Sequence, residues 1–180
     1  MRSQFVAFLR GINVGGNTKV SMEVLKSSLE KEGFFHTRTV LNSGNIIFES
    51  VELSQGKIKK IIEDIIEKNF GFHSDVIVHF RDVIRRLVQE NPFKNINITS
   101  QTRLYVTFLA EPHENSLVIP YGSSEKDFTI LQAMPTEICW VVVLSKAQGT
   151  TEAMKFIEKT YGKKVTTRNW NTVQKIAQLL

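Results

Sequence analysis

The apolar positions in the first half of the chain follow two patterns, one typical of helices and one of buried strands. Helical spacing predicts two helices. One follows Ser21 and turns Met22, Leu25 and Leu29 inward, and the second carries a longer isoleucine-rich stripe. Short apolar runs predict four strands, at residues 4–9, 37–41, 46–49 and 76–80. The resulting order β-α-β-β-α-β is typical of the split βαβ, or ferredoxin-like, arrangement, with antiparallel strands in the order 4-1-3-2.

The second half is less regular, and its pattern predicts the order α-β-β-β-α-α. A helix that Asp82 can cap ends before Pro92, because proline disfavours helical geometry in the residue before it. Three strands follow, at residues 104–109, 127–132 and 138–144. One helix begins at Thr150 or Thr151 and turns three side chains inward, namely Met154, Ile157 and Tyr161. The last helix covers residues 169–180.

A chain of 180 residues suits one domain or two small subdomains with a shared core. We predict the α+β class, with a ferredoxin-like subdomain and its following helix at residues 1–90. Residues 91–180 form a second α+β subdomain, ordered βββαα around an antiparallel sheet and closely packed on the first. No fixed-period repeat is visible along the chain.

Composition narrows the class of protein. A hydrophobic fraction of 42% and a charged fraction of 23% are ordinary for a globular protein. Cys139, the single cysteine, lies in an apolar run and is best interpreted as a small buried hydrophobe in a protein of a reducing compartment. No run is long enough to span a membrane, and the apolar stretch near the start is too short for a signal peptide. We therefore expect a cytoplasmic protein with no membrane partner.

The formal net charge of +5 mildly favours anionic partners. It is well below the concentrated basic stripe of a dedicated nucleic-acid binder. Residues 45–49 also lack the aromatic pattern of an RNA-binding sheet, and the strands at 4–9 and 76–80 are apolar on successive residues. Because such strands are covered on both faces, we do not expect an RNA-stacking surface.

The first polar cluster is a glycine-rich loop at residues 10–19, between a strand and a helix. Glycine lets the backbone adopt positive φ and expose its amides, and amides beside a helix N-terminus suit an anion. Arg10 and Lys19 flank the loop. The glycine spacing copies a phosphate-binding P-loop, but Asn17 stands where that motif needs lysine, and the element order is wrong for that fold. These differences exclude a Walker-type nucleotide triphosphatase.

The second cluster is the turn at residues 42–45, between the second and third strands. In a split βαβ unit the first two strands are parallel and end at the same edge of the sheet. We therefore expect this turn and the glycine loop to lie side by side as a polar rim. The rim either lines a pocket or seals an interface, and the sequence does not choose between them.

The third cluster, at residues 166–172, opens the last helix. Asn169 or Asn171 can cap that helix, and Arg168 is a bidentate donor for anions. Trp170 fits core packing better than base stacking. Spacing alone does not establish whether this segment reaches the other two.

These clusters carry a resemblance. The segments RGINVGG at residues 10–16, SGN at 43–45 and TRNWNT at 167–172 resemble the signature segments of a bacterial family, domain of unknown function 1697. The resemblance spans nearly the whole chain. It implies a small α+β protein with a ferredoxin-like N-terminal part and a second α+β part, and it brings no catalytic residues.

The sequence shows no metal-ligand spacing among its four histidines and no nucleophile elbow, so we expect neither a metal nor a cofactor. The leading hypothesis is binding of a small anionic or phosphate-bearing ligand, a nucleotide or a nucleic-acid phosphate. The alternatives are a structural or protein-interaction role, in which the motifs hold the subdomains together, and a small enzyme at the same edge. The candidate ligand-binding residues are Arg10, Asn13, Gly15, Gly16, Lys19, Ser43, Gly44, Asn45, Arg168 and Asn169.

Overall fold

The computed structural model describes residues 2–13, 18–114, 116–122, 128–144 and 149–180. Two compact units make up the chain, one of Met1–Arg86 with Lys175–Leu180 (unit 1) and one of Leu87–Gln174 (unit 2). Within the described residues there are two four-stranded antiparallel sheets and five helices. The α+β class is therefore confirmed. The predicted boundary at residue 90 and the close packing of the two subdomains stay predictions.

Unit 1 contains the elements that the apolar pattern predicts for the first half of the chain. They are β1 (Ser3–Leu9), α1 (Met22–Lys31), β2 (Phe35–Val40), β3 (Asn45–Ser50), α2 (Gln55–Phe70) and β4 (Val76–Phe80). Helix α3 (Arg81–Glu90) follows. The sheet has the order β2-β3-β1-β4 with antiparallel neighbours, which is compatible with the ferredoxin-like arrangement.

Side-chain caps fix where the helices of unit 1 begin. The Ser21 hydroxyl accepts a hydrogen bond from the Val24 N–H at 3.4 Å and starts α1, and Ser54 does the same for α2. Helix α2 buries its isoleucine stripe against the sheet core and ends at Gly71 with φ +75°. Strand β1 is buried on both faces from Phe5 to Leu9, so the aromatic rings of this strand are not available to stack on RNA bases.

Unit 2 repeats the strand order of unit 1. Its strands β5 (Thr102–Leu109), β6 (Phe128–Ala133), β7 (Glu137–Val143) and β8 (Val165–Asn169) form a sheet in the order β6-β7-β5-β8. Helix α4 (Gly149–Tyr161) joins β7 to β8, as α2 joins β3 to β4, and α5 (Trp170–Ala177) follows β8 as α3 follows β4. The two units therefore share one strand order, although the described residues between β5 and β6 contain no counterpart of α1 and the sequence shows no repeat.

Strand β8 corrects the predicted order of the second half. The sequence predicts no strand between the last two helices, yet β8 pairs antiparallel with β5, from Tyr105 opposite Asn169 to Leu109 opposite Val165. The segment VTTRN has no apolar alternation to signal a strand. It is held by the ladder and by a hydrogen bond of 2.8 Å between the Thr107 and Thr167 hydroxyls, and β-branched threonine suits a strand.

Helix α4 also differs from its prediction in one inward residue. Met154 is 41% exposed, whereas Ala153, Ile157 and Tyr161 are buried. The predicted set, with Met154, and the buried set, with Ala153, both have the spacing of one helix face. The helical period alone could therefore not select between these neighbouring positions.

Cys139 is a fully buried cysteine in the middle of β7, which fits its interpretation as a core residue. No helix in the described part of the chain is long and apolar enough to cross a membrane. The cytoplasmic location stays a prediction.

Candidate functional site

The end of β1 and the turn between β2 and β3 lie side by side in unit 1, as the topology predicts. The Leu9 N–H donates to the Gly44 carbonyl at 2.8 Å. The Asn13 side-chain amide donates to the Asn42 carbonyl at 2.7 Å. Backbone and side-chain hydrogen bonds therefore join the first two polar clusters directly.

Asn13 closes the base of the glycine-rich loop. Its backbone has φ +55°, and its N–H donates to the Thr18 carbonyl at 2.9 Å. Its side-chain oxygen accepts from the Val20 N–H at 2.9 Å, while its Nδ2 also donates to the Val20 carbonyl at 3.2 Å. This side chain is thus used to join the two described ends of the loop. Gly15 and Gly16, two predicted ligand-binding residues, lie outside the described residues.

The SGN turn is built by close packing and by a buried amide. Gly44 has φ +74°, and a Cβ there would lie 2.8 Å from both the Ile12 Cδ1 and the Leu9 Cβ. Asn45 is fully buried, and its Nδ2 donates to the Val40 carbonyl at 2.8 Å and to the Ser43 hydroxyl at 3.0 Å. All three residues therefore have a structural task in this turn.

Arg10 belongs to a network of charged side chains at the start of β4. Its guanidinium lies 3.5 Å from the Asp75 carboxylate, which is 3.6 Å from the His73 imidazole. Its carbonyl accepts from the Ser74 hydroxyl at 2.9 Å. Arg10 is thus anchored beside the glycine loop, and an anion there would compete with Asp75 for it.

Asp75 also belongs to a group that the sequence did not indicate. Ligand-type atoms of Glu63, His73 and Asp75 all lie within 4.8 Å of one another, although the residues come from α2 and from the segment before β4. Arg10 already supplies positive charge to the Asp75 carboxylate, and Lys59 lies 3.7 Å from the Glu63 carboxylate. The arrangement is satisfied as an ion-pair network, and a metal ion would have to displace those cations.

A cavity opens where the glycine loop enters α1. Its volume is about 690 Å³, within the range of small-molecule sites. Of the predicted residues, Asn13 and Lys19 line it, whereas Arg10 and the SGN turn do not. The other described residues that line it are Val20, Ser21, Met22, Glu23 and Asn42. Asn42 belongs to the predicted polar rim but not to the predicted ligand-binding residues, and Glu23 was not predicted, since it is an ordinary residue beside a motif.

The third cluster lies in unit 2, and its arginine is buried. Arg168 is only 9% exposed, and it donates to the Thr166 hydroxyl at 2.8 Å and to the Thr167 carbonyl at 2.9 Å. Burial lowers the pKa of Arg168 to about 10, so the guanidinium stays charged at neutral pH. Its hydrogen bonds to β8 indicate a structural use.

Asn169 and Trp170 begin α5 as the sequence predicts. The Asn169 Oδ1 accepts from both the N–H and the hydroxyl of Thr172, each at 2.9 Å, and so caps the helix. Trp170 is 5% exposed and packs edge-on against Phe93, with ring centroids 5.0 Å apart. Core packing is therefore its main role.

A family model described as protein of unknown function (DUF1697) matches residues 2–137. This chain belongs to the DUF1697 family. The conserved bacterial protein SP0830 from Streptococcus pneumoniae is 23% identical over 99% of both chains, with a TM-score of 0.75, a likeness that shows the fold alone. An unknown protein from Galdieria sulphuraria is 13% identical and covers 94% of this chain and 99% of its own, but its TM-score of 0.27 supports no conclusion. No curated protein matches the chain.

In this DUF1697 protein the described residues of the three signature segments shape the local backbone. Asn13 holds the glycine loop, Gly44 and Asn45 hold the neighbouring turn, and Asn169 caps α5. Lys19, beside the first signature segment, differs from these structural residues. It lines the unit 1 cavity, and its ammonium forms no ion pair within the described part of the chain.

Proposed function

We propose that this protein binds a small phosphate-bearing ligand, such as a nucleotide, in the unit 1 cavity beside the glycine loop. The observation that carries the proposal is the cavity itself, which lies between the loop, the turn and the first turn of α1 and is lined by Asn13, Lys19 and Asn42. The hydrogen bond from Asn13 to Asn42 gives this cavity a fixed wall before any ligand arrives.

The electrostatics of the cavity favour a ligand with both a phosphate and hydroxyl groups. The Lys19 ammonium and the N–H groups of Met22 and Glu23 attract an anion, because N–H groups at the start of a helix have no acceptor inside it and Ser21 caps only that of Val24. Glu23 places a carboxylate on the same wall. A carboxylate repels phosphate but accepts hydrogen bonds from sugar hydroxyls. A sugar phosphate or nucleotide therefore suits Lys19 and Glu23 together better than a bare anion does.

Thermal shift and calorimetric titration with pyrophosphate, sugar phosphates and nucleotides test this proposal. We expect at least one of them to stabilise the protein. Lys19→Ala should weaken its binding about tenfold, the usual worth of a charge-assisted hydrogen bond. Arg10→Ala reports whether Arg10 leaves Asp75 to join the ligand.

Lys26→Ala is the matched control, because Lys26 lies on α1 and pairs only with Glu30, at 3.9 Å, among the described residues. Absence of any ligand effect, or equal weakening in Lys19→Ala and Lys26→Ala, would contradict a site at the loop.

A structural role is the second candidate, favoured by the hydrogen bonds that use the Asn13 and Asn45 amides within unit 1. It accounts for the signature segments without a ligand. Under this role, loss of either amide would lower stability and no tested phosphate compound would bind at the loop.

A further inference from the structure

Unit 2 contains a second cavity, of about 710 Å³, that lies beside the third signature segment. Four side-chain carboxamides line it, together with two cations and three aromatic rings, and its described lining includes no carboxylate. A cavity of this size accommodates a small molecule. Its polar groups therefore indicate what kind of molecule it would accept.

Two of the carboxamides fix the rim of the cavity. Asn91 ends α3 with φ +43°, and its Oδ1 accepts from the Phe93 N–H at 3.3 Å, which turns the chain away from the helix. Asn169 caps α5, the helix that lines the cavity with Asn171 and Gln174. These bonds hold the backbone on both sides of the cavity.

The other two carboxamides are available for a ligand. Asn171 and Gln174 lie three residues apart on α5, a spacing that places them on the same side of the helix. The structure gives neither side chain a hydrogen bond within the described residues. Each therefore offers the cavity one oxygen acceptor and one NH₂ donor group.

Two cations make the cavity suitable for an anion. Arg103 is held in place because its Nη1 donates to the Ser100 carbonyl at 2.7 Å and to the Thr102 carbonyl at 2.9 Å. Neither Arg103 nor Lys94 has an ion-pair partner in the part of the chain that the structure describes. A phosphate would supply the missing counter-charge.

The aromatic rings are rigidly supported. Tyr105 stacks on Trp140 with centroids 4.5 Å apart and an interplanar angle of 25°, and Trp170 is wedged against Phe93. Such rings give the cavity an apolar wall that keeps its shape, beside which a flat ligand could lie.

We propose that this cavity binds a mononucleotide. Carboxamides of asparagine and glutamine pair a donor with an acceptor, which matches the edge of a nucleobase. Lys94 and Arg103 bind the phosphate, and the ring wall faces the base. The site is separate from the unit 1 cavity and does not depend on the function proposed there.

Calorimetric titration of the full chain with AMP, GMP, CMP and UMP tests this inference, with the matching nucleosides and ribose 5-phosphate as partial ligands. We expect at least one nucleotide to bind more tightly than its nucleoside and than ribose 5-phosphate. Asn171→Ala, Gln174→Ala and Arg103→Ala should each weaken that binding about tenfold. Gln178→Ala, an exposed amide one helical turn beyond Gln174, should leave it unchanged.

Several results would overturn the inference. One is that none of the four nucleotides binds. Another is that ribose 5-phosphate binds as tightly as the nucleotides, because then the base is not recognised. A third is binding that Lys19→Ala removes and Asn171→Ala spares, which would place the nucleotide in unit 1 and support the function proposed there. Conversely, binding that depends on Asn171 and not on Lys19 supports this site, whatever happens with pyrophosphate at the loop.

Discussion

Gly44 shows most clearly why a signature residue need not touch a ligand. Its positive φ and its approach to Leu9 and Ile12 leave no room for a side chain. The sequence could predict a turn at this position. It could not predict the close packing, because Leu9 and Ile12 reach the turn only through the pairing of β1 with β3.

We expect Gly44→Ala to lower the free energy of unfolding by about 2–4 kcal/mol, since overpacking adds to the cost of a left-handed backbone. Gly33→Ala is the control, because Gly33 has φ +88° and nothing within 4 Å of an added Cβ. Urea unfolding of both variants measures the difference. Equal losses in the two would show that packing at Gly44 has no special cost.

Arg168 marks the limit of what residue type alone can predict. An arginine between polar residues indicates an exposed anion donor, but the structure buries it in β8. That burial depends on a strand whose sequence does not alternate. By contrast, the sequence predicts Asn169 or Asn171 as the helix cap, and Asn169 is the cap, because capping depends only on residues close in sequence.

Strands also differ in whether their own residues or a distant partner strand identify them. The runs that form β1 and β4 are apolar enough to be recognised directly, and β4 covers the predicted residues 76–80. Strand β8 is recognisable only from its partner β5. Of the described residues that line the unit 2 cavity, Asn169 is a predicted site residue. The sequence could not predict the remainder for the same reason, because Asn171 is distant in sequence from Lys94 and Arg103.

Strand β4 also buries an ionisable group, His79, which is 3% exposed. Burial lowers its pKa from 6.5 to about 4, so His79 is neutral in the folded protein at neutral pH. In the unfolded chain it gains a proton as the pH falls below 6.5. Its contribution to stability is therefore complete above pH 6.5 and is lost progressively down to about pH 4.

The difference in pKa corresponds to roughly 3 kcal/mol across that range. We expect the free energy of unfolding to fall with acidification, and His79→Leu to show a shallower fall between pH 6.5 and pH 4. Chemical unfolding at several pH values provides the measurement, with His36→Leu as an exposed control. An identical pH dependence in the wild type and His79→Leu would refute the assignment.

The chain consists of two units with one strand order, and each has a cavity beside a signature segment. In unit 1 the cavity follows the first strand of the sheet, and in unit 2 it involves the segment that runs from the fourth strand into the last helix. The two sheets thus share one strand order, but different polar residues line the two cavities. Family membership identifies the fold, whereas the two linings carry the functional proposals.

The most direct test of the central claim, a phosphate site at the glycine loop, is a nuclear magnetic resonance titration of ¹⁵N-labelled protein with pyrophosphate. We predict saturable shifts of the amides of residues 19–23 and of Asn42, which line or border the unit 1 cavity. Lys19→Ala should reduce these shifts at equal pyrophosphate concentration. Amide shifts that are absent, or that are confined to residues 87–174, would contradict the claim.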